Sequence, residues 1–173
     1  MEMSVSKRLS RSLIVVSLLS AYSAWAYSIQ GRVVGVSDGD TITVLDSTKT
    51  QHKIRLAGID APEKKQPFGQ ASKKHLSDLV FDRDVTLECG KTDKYRREIC
   101  VVIVDGQDAN LAQVTAGMAW WYRKYQKEQT EGQRSSYEAA EATAKAGRVG
   151  LWSEDQPVAP WDFRKLRKLA ATK

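Results

Sequence analysis

Two stretches decide the fold class: Thr41-Ile42-Thr43-Val44-Leu45 and His52-Lys53-Ile54-Arg55-Leu56. Each alternates polar and apolar residues with period two, the pattern of a strand with one buried face. Ser37-Asp38-Gly39-Asp40 supplies turn residues ahead of the first, and residues 46–50 separate the pair. Working outward, residues 29–36 are apolar and β-branched, and residues 85–89 and 99–104 give a fourth and a fifth strand. Residues 68–80 interrupt this series as a helix, with Ala71, His75, Leu76, Leu79 and Val80 on one face at spacings of three and four. Beyond Val104 the pattern turns helical. Residues 110–115 form a short helix stopped by Gly117, and residues 135–146 a longer one stopped by Gly147. The expectation is a mainly β, α+β domain: a five-stranded OB-like barrel packed against three helices. Barrels of that architecture bind nucleic acids in many settings.

The 173-residue chain is one domain's worth, and its start reads as a targeting segment. Lys7, Arg8 and Arg11 precede the apolar run Leu13-Ile14-Val15-Val16-Ser17-Leu18-Leu19, and Ala24-Trp25-Ala26 closes it with small residues at alternate positions. Basic, then apolar, then small-x-small is a secretory signal peptide, with cleavage expected after Ala26. The run is shorter than the roughly 20 residues a membrane span takes, so no stable membrane association is expected once it is removed. Losing three basic residues and one acidic residue lowers the net charge from +6 to +4. That excess suits a polyanionic partner. Much of it lies in residues 157–173, read as a basic C-terminal tail solvated beyond a domain of residues 27–156. An exported chain meets an oxidising compartment, where Cys89 and Cys100 can close a disulfide across a hairpin. With His52 and His75 they make no usual zinc spacing.

Three carboxylates stand at turns. Asp38-Gly39-Asp40-Thr41 joins two strands, and Asp60-Ala61-Pro62-Glu63 follows another. Either alone is an ordinary turn or loop. Together they bring Asp40, Asp60 and Glu63 to neighbouring loops of one sheet, where oxygen ligands suit calcium or magnesium. Arg55 precedes them on a strand whose Ile54 and Leu56 share the other face. A second basic cluster, Lys91-Thr92-Asp93-Lys94-Tyr95-Arg96-Arg97, lies between two strands. It reads as a solvated charged hairpin or as guanidinium groups placed to grip a phosphate, which arginine does bidentately.

In order and spacing, Ser37-Asp38-Gly39-Asp40-Thr41, Ile54-Arg55-Leu56-Ala57-Gly58-Ile59-Asp60-Ala61-Pro62-Glu63, Thr92-Asp93-Lys94-Tyr95-x-Arg97 and Gly150-Leu151-Trp152-Ser153-Glu154-Asp155 resemble the staphylococcal (micrococcal) nuclease, or thermonuclease, family. The resemblance spans about residues 28–156. It implies a calcium-dependent endonuclease, acting on DNA and RNA as a monomer and leaving 3′-phosphate ends. It implies Asp40, Asp60 and the Ala61 backbone carbonyl as calcium ligands. It also implies Glu63 as the residue that orients or deprotonates water, and Arg55 and Arg97 as phosphate ligands.

Two departures matter. The family's Tyr-Gly-Arg turn reads Tyr95-Arg96-Arg97, which makes Arg96 a rival, although Arg97 keeps the spacing from Asp93. Ala119-Trp120-Trp121-Tyr122-Arg123-Lys124-Tyr125 stands where the family's nucleotide-contacting tyrosines lie, with altered spacing. Tyr122 and Tyr125, with Lys94 and Tyr95, are the substrate-binding candidates, and such basic-aromatic surfaces suit single strands. The alternative is a non-catalytic module binding nucleic acid or protein on the same barrel. The expected place of action is the periplasm or the exterior of the cell.

Overall fold

A computed structural model describes residues 27–171, so the expected signal segment lies outside the described residues. Strands β1 (Tyr27–Asp38), β2 (Thr41–Asp46) and β3 (Gln51–Leu56) form a meander, and β5 (Asp84–Thr92) and β6 (Glu98–Val104) form a hairpin. Antiparallel pairing runs β3-β2-β1-β5-β6, and β3 then meets β6 in parallel, which closes a five-stranded barrel. The period-two pattern explains the interior. Val33, Ile42, Val44, Ile54, Leu87 and Val102 all point inward and exclude solvent completely. Cys89 and Cys100 are register partners across β5 and β6 and are joined as a disulfide.

Short strands β4 (Ile59–Asp60) and β8 (Trp120–Trp121) pair on the flank of the barrel, while β7 (Gln107–Asp108) leads out of β6. Helix α1 (Gly69–Val80) packs Leu76 and Val80 on the barrel, and α2 (Ala109–Thr115) adds Val114. Buried Asn110 ties α2 down by donating to the Ala57 and Cys100 carbonyls. Helix α3 (Glu131–Ala146) starts a turn earlier than its apolar face suggests. A capping box of Thr130 and Gln133 begins it within polar sequence. A fourth α-helix, α4 (Pro160–Ala171), lies in the segment expected to be a solvated tail. Pro160 at its start is buried, and Trp161 and Arg164 face the rest of the protein.

Candidate active site

The β1–β2 turn carries Asp40, and the chain leaving β4 carries Asp60, Ala61 and Glu63. Both aspartates are buried, with side chains 9% and 2% exposed. Arg55, near the end of β3, spans them. Its Nη1 is 2.9 Å from Asp40 Oδ2, and its Nη2 donates to Asp60 Oδ1 at 2.7 Å. The strand parity is the expected one, Ile54 and Leu56 facing the core. Arg55, however, is engaged with carboxylates rather than extended into solvent. Asp40 also accepts from the Ala61 N–H at 2.7 Å, which fixes the Ala61 peptide beside it. Burial pushes the Asp40 carboxyl up, against the lowering pull of Arg55.

The two loops are held by residues whose roles are not visible in the sequence motifs. Gln113 of α2 donates to the Gly39 carbonyl at 2.6 Å and to the Ser72 carbonyl at 3.2 Å. Its Oε1 bonds to His75 Nδ1, while Ser72 Oγ donates to the Met118 carbonyl at 2.6 Å. The turn lies so close to α1 that a Cβ on Gly39 would stand 1.9 Å from Ser72 Oγ. Gln66 does the equivalent work for Glu63. It accepts from the Glu63 N–H at 3.1 Å and donates to the Val158 carbonyl at 2.6 Å, linking that loop to the approach to α4. A Cβ on Gly69 would come within 2.0 Å of the Glu63 carbonyl, so α1 can begin there only with glycine. In the sequence Gln113 is one polar residue on a short helix, with nothing local to mark it for this role.

A second guanidinium enters from α4. Arg164 Nη2 donates to Asp60 Oδ2 at 2.7 Å, and Nη1 donates to Glu63 Oε1 at 2.9 Å and to Asp60 Oδ1 at 3.3 Å. Three carboxylates thus surround two guanidinium groups. Among the described residues no three His, Cys, Asp or Glu side chains are gathered as a metal-ion cage. Arg55 and Arg164 supply the positive charge between Asp40, Asp60 and Glu63. Arg164 went unnoticed in the sequence because its Arg-Lys-rich surroundings read as solvated charge.

Arg97 stands in the β5–β6 turn, two residues before Ile99, the register neighbour of Arg55. It is paired with Asp93 and lies 5.5 Å from the Tyr95 ring centroid. Arg96 adopts φ 61 at the place of the family's glycine, so the turn keeps its left-handed residue at some strain. Lys94 sits over the ring of Tyr95, which is exposed.

The β4–β8 pairing sets Trp120 opposite Asp60. Buried Glu141 of α3 anchors that strand by accepting from the Trp121 N–H and from Arg123. Beyond it, a cleft of about 360 Å³ is lined by Trp120, Tyr122, Arg123, Lys124, Trp161 and Lys165. Tyr122 packs edge-on against Tyr125 and lies flat against Trp161. Tyr122 and Tyr125 therefore adjoin a basic-aromatic cleft that continues from the Asp60 strand.

Comparison with known proteins places the chain in a family. A family model described as staphylococcal nuclease homologue matches residues 53–154. The chain is 41% identical to an uncharacterized endonuclease of Haemophilus influenzae, over 91% of this chain and 84% of the relative. It is 38% identical to a micrococcal nuclease of Shigella flexneri, over 90% and 91% respectively. A staphylococcal-like nuclease of Arabidopsis thaliana is 31% identical over 67% of this chain and 34% of its own length.

Proposed function

Because the chain belongs to the staphylococcal nuclease homologue family and is a nuclease, we propose that it hydrolyses DNA and RNA with calcium, leaving 3′-phosphate ends. The observation that carries the reading is Arg55 bridging two buried aspartates from separate loops, with Glu63 beside them. Buried carboxylates persist only with compensating charge. Here the charge sits on side chains that substrate and cation can engage.

The donor set suits a hard cation. Asp40 and Asp60 offer carboxylate oxygens, and Ala61 a backbone carbonyl on a peptide already fixed by its bond to Asp40. Held by Asp40, Asp60 and the Ala61 carbonyl, calcium would supply positive charge beside the phosphate and make water there a better nucleophile. The chain's own groups do the rest. Glu63, 37% exposed at the rim, is placed to orient the attacking water or take its proton. The water oxygen bonds to phosphorus, the bond to the 5′ oxygen breaks, and that oxygen takes up a proton. Arg55 and Arg97 donate to the non-bridging oxygens as phosphorus gains its fifth ligand, bonds that strengthen as charge accumulates. Lys94, Tyr95, Tyr122 and Tyr125 line the path of the flanking nucleotides, where aromatic faces accept any base. The protein acts as a monomer outside the cytoplasm, a place supported by the sequence pattern before Tyr27 and by the Cys89–Cys100 bond.

The test is incubation of the chain lacking residues 1–26 with single-stranded DNA, double-stranded DNA and RNA, in calcium and then in chelator. Calcium-dependent cleavage is expected, with products that accept a 3′ label only after phosphatase treatment. Cleavage that persists in chelator, or none at all, overturns the reading.

A further inference from the structure

Asp60 has both carboxylate oxygens engaged, Oδ1 mainly by Arg55 and Oδ2 by Arg164. A cation that takes Asp60 as a ligand meets the positive charge of both guanidinium groups at close range and competes with them for its oxygens. They are not equally held. Arg55 projects from a barrel strand, bonds Asp40 as well as Asp60, donates to the Leu56 carbonyl at 3.3 Å, and is only 13% exposed. Arg164 is 40% exposed and comes from α4, which lies outside the segment that the family model matches. Among the described residues its hydrogen-bond partners are Asp60 and Glu63. Arg164 is the less firmly held of the two and the first that such a cation would displace.

Displacement does not carry it far. Trp161, one helical turn earlier on α4, lies against Tyr122 with ring centroids 5.1 Å apart and planes 3° apart, and Gln66 tethers the approach to the helix at Val158. With α4 so anchored, the released guanidinium stays beside Asp60 and Glu63, where the proposed reaction puts the phosphodiester. A guanidinium fork that has lost a carboxylate meets its closest equivalent in the two non-bridging phosphate oxygens.

We propose that Arg164 is a third phosphate-binding arginine, which holds Asp60 and Glu63 in the unliganded molecule and passes to the substrate phosphate when a divalent cation replaces it on them. This rests on the cation-dependent reading above. It couples the two ligands. The cation releases Arg164 for the phosphate, and the phosphate draws Arg164 off the carboxylates that the cation needs. By linkage each ligand tightens the other by the same factor.

Calorimetry of calcium binding to the full mature chain tests this, with and without a cleavage-resistant phosphorothioate dinucleotide, in wild type, Arg164→Gln and Arg164→Lys. Without the dinucleotide, Arg164→Gln is expected to bind calcium about tenfold more tightly than wild type, because its competitor is gone. With calcium saturating, Arg164→Gln is expected to bind the dinucleotide about tenfold more weakly, and Arg164→Lys to fall between, since lysine lacks the fork. Equal calcium affinity in wild type and Arg164→Gln overturns the proposal. So does tighter calcium binding with unchanged dinucleotide affinity, which would leave Arg164 as a cap only. If no variant binds calcium, the cation-dependent reading itself fails, and the proposal with it.

Discussion

Asp93 grips Arg97 at three points: its Oδ1 accepts from the Arg97 backbone N–H at 3.0 Å, and its Oδ2 meets the Arg97 Nε at 2.9 Å and Nη2 at 2.8 Å. The carboxylate thereby shapes the β5–β6 turn and aims the guanidinium that the turn carries. Arg96, next to it, is exposed and donates its backbone N–H to the Asp93 carbonyl. This geometry favours Arg97 over Arg96 for the proposed phosphate role. Arg97→Lys is expected to lower kcat by roughly 100-fold, as loss of one preorganised donor in a transition state does. Arg96→Lys is expected to leave kcat near the wild-type value. Asp93→Ala, which keeps the arginine but not its aim, is expected to cost roughly tenfold. Steady-state kinetics on single-stranded DNA decides it, and a larger loss in Arg96→Lys than in Arg97→Lys reverses the assignment.

Gln113 predicts a stability effect that reaches the site. Its amide donates to the Gly39 carbonyl inside the protein, so Gln113→Leu leaves that carbonyl buried without its donor. The expected cost is about 1–3 kcal/mol. Because Gly39 precedes Asp40, the proposed calcium-dependent cleavage is expected to fall as well, through weaker binding of the cation. Denaturant melts and calcium titration of the variant measure the two effects separately. A variant as stable as wild type would mean that Gly39 does not depend on Gln113.

The barrel was legible in the sequence because alternation is a local signal. Ile42 and Val44, or Ile54 and Leu56, declare their strand and its buried face within five residues. The clustering of the candidate site residues was legible for a different reason: acidic turns and a strand arginine stand close together in the chain. What escaped was long-range. Gln113 and Gly39 are 74 residues apart, and Arg164 and Asp60 are 104 apart. Neither member of either pair carries a local mark of the other. Arg164 lies in a run of lysines and arginines that ordinary solvation explains equally well. Helix α4 escaped with it, since two ring contacts of Trp161, with Tyr122 and Trp120, and the ion pairs of Arg164 help to hold it.

His52 predicts a pH dependence of stability. On β3 it lies between two carboxylates, with Nε2 3.0 Å from Asp46 Oδ2 and Nδ1 3.1 Å from Glu98 Oε2. The hydrogen bond to Asp46, with a smaller contribution from Glu98, raises the imidazole above its ordinary value of 6.5. A raised folded-state value means that protonation favours the folded form. The stabilisation is complete below about pH 6.5 and is lost as pH rises through the raised value. Asp46, held below the usual carboxylate range chiefly by His52, behaves oppositely. Its contribution is present above its ordinary value and is lost as the solution is acidified through the lowered one. Thermal melts from pH 6 to pH 9 should show Tm falling in wild type and falling less in His52→Gln. Parallel curves for the two proteins would show that this bridge does not set the slope.

The Cys89–Cys100 bond predicts a loss of stability without a loss of rate. The bridged cysteines are 11 residues apart in sequence, so the bond shortens the unfolded chain's freedom over a small loop. In the loop-entropy account that is worth about 3 kcal/mol. Both cysteines are fully buried between β5 and β6, whereas Asp40, Asp60 and Glu63 lie on β1–β2, β4 and the chain after it. Reduction is therefore expected to lower the denaturant midpoint while leaving kcat at 25 °C close to that of the oxidised protein, so long as the chain stays folded. The Cys89→Ala, Cys100→Ala double variant should match the reduced protein and be indifferent to reductant. A reduced protein that stays as stable as the oxidised one would remove the bond from the account of this fold. A reduced protein that remains folded but loses activity would show instead that the bond positions the β5–β6 turn, and Arg97 with it.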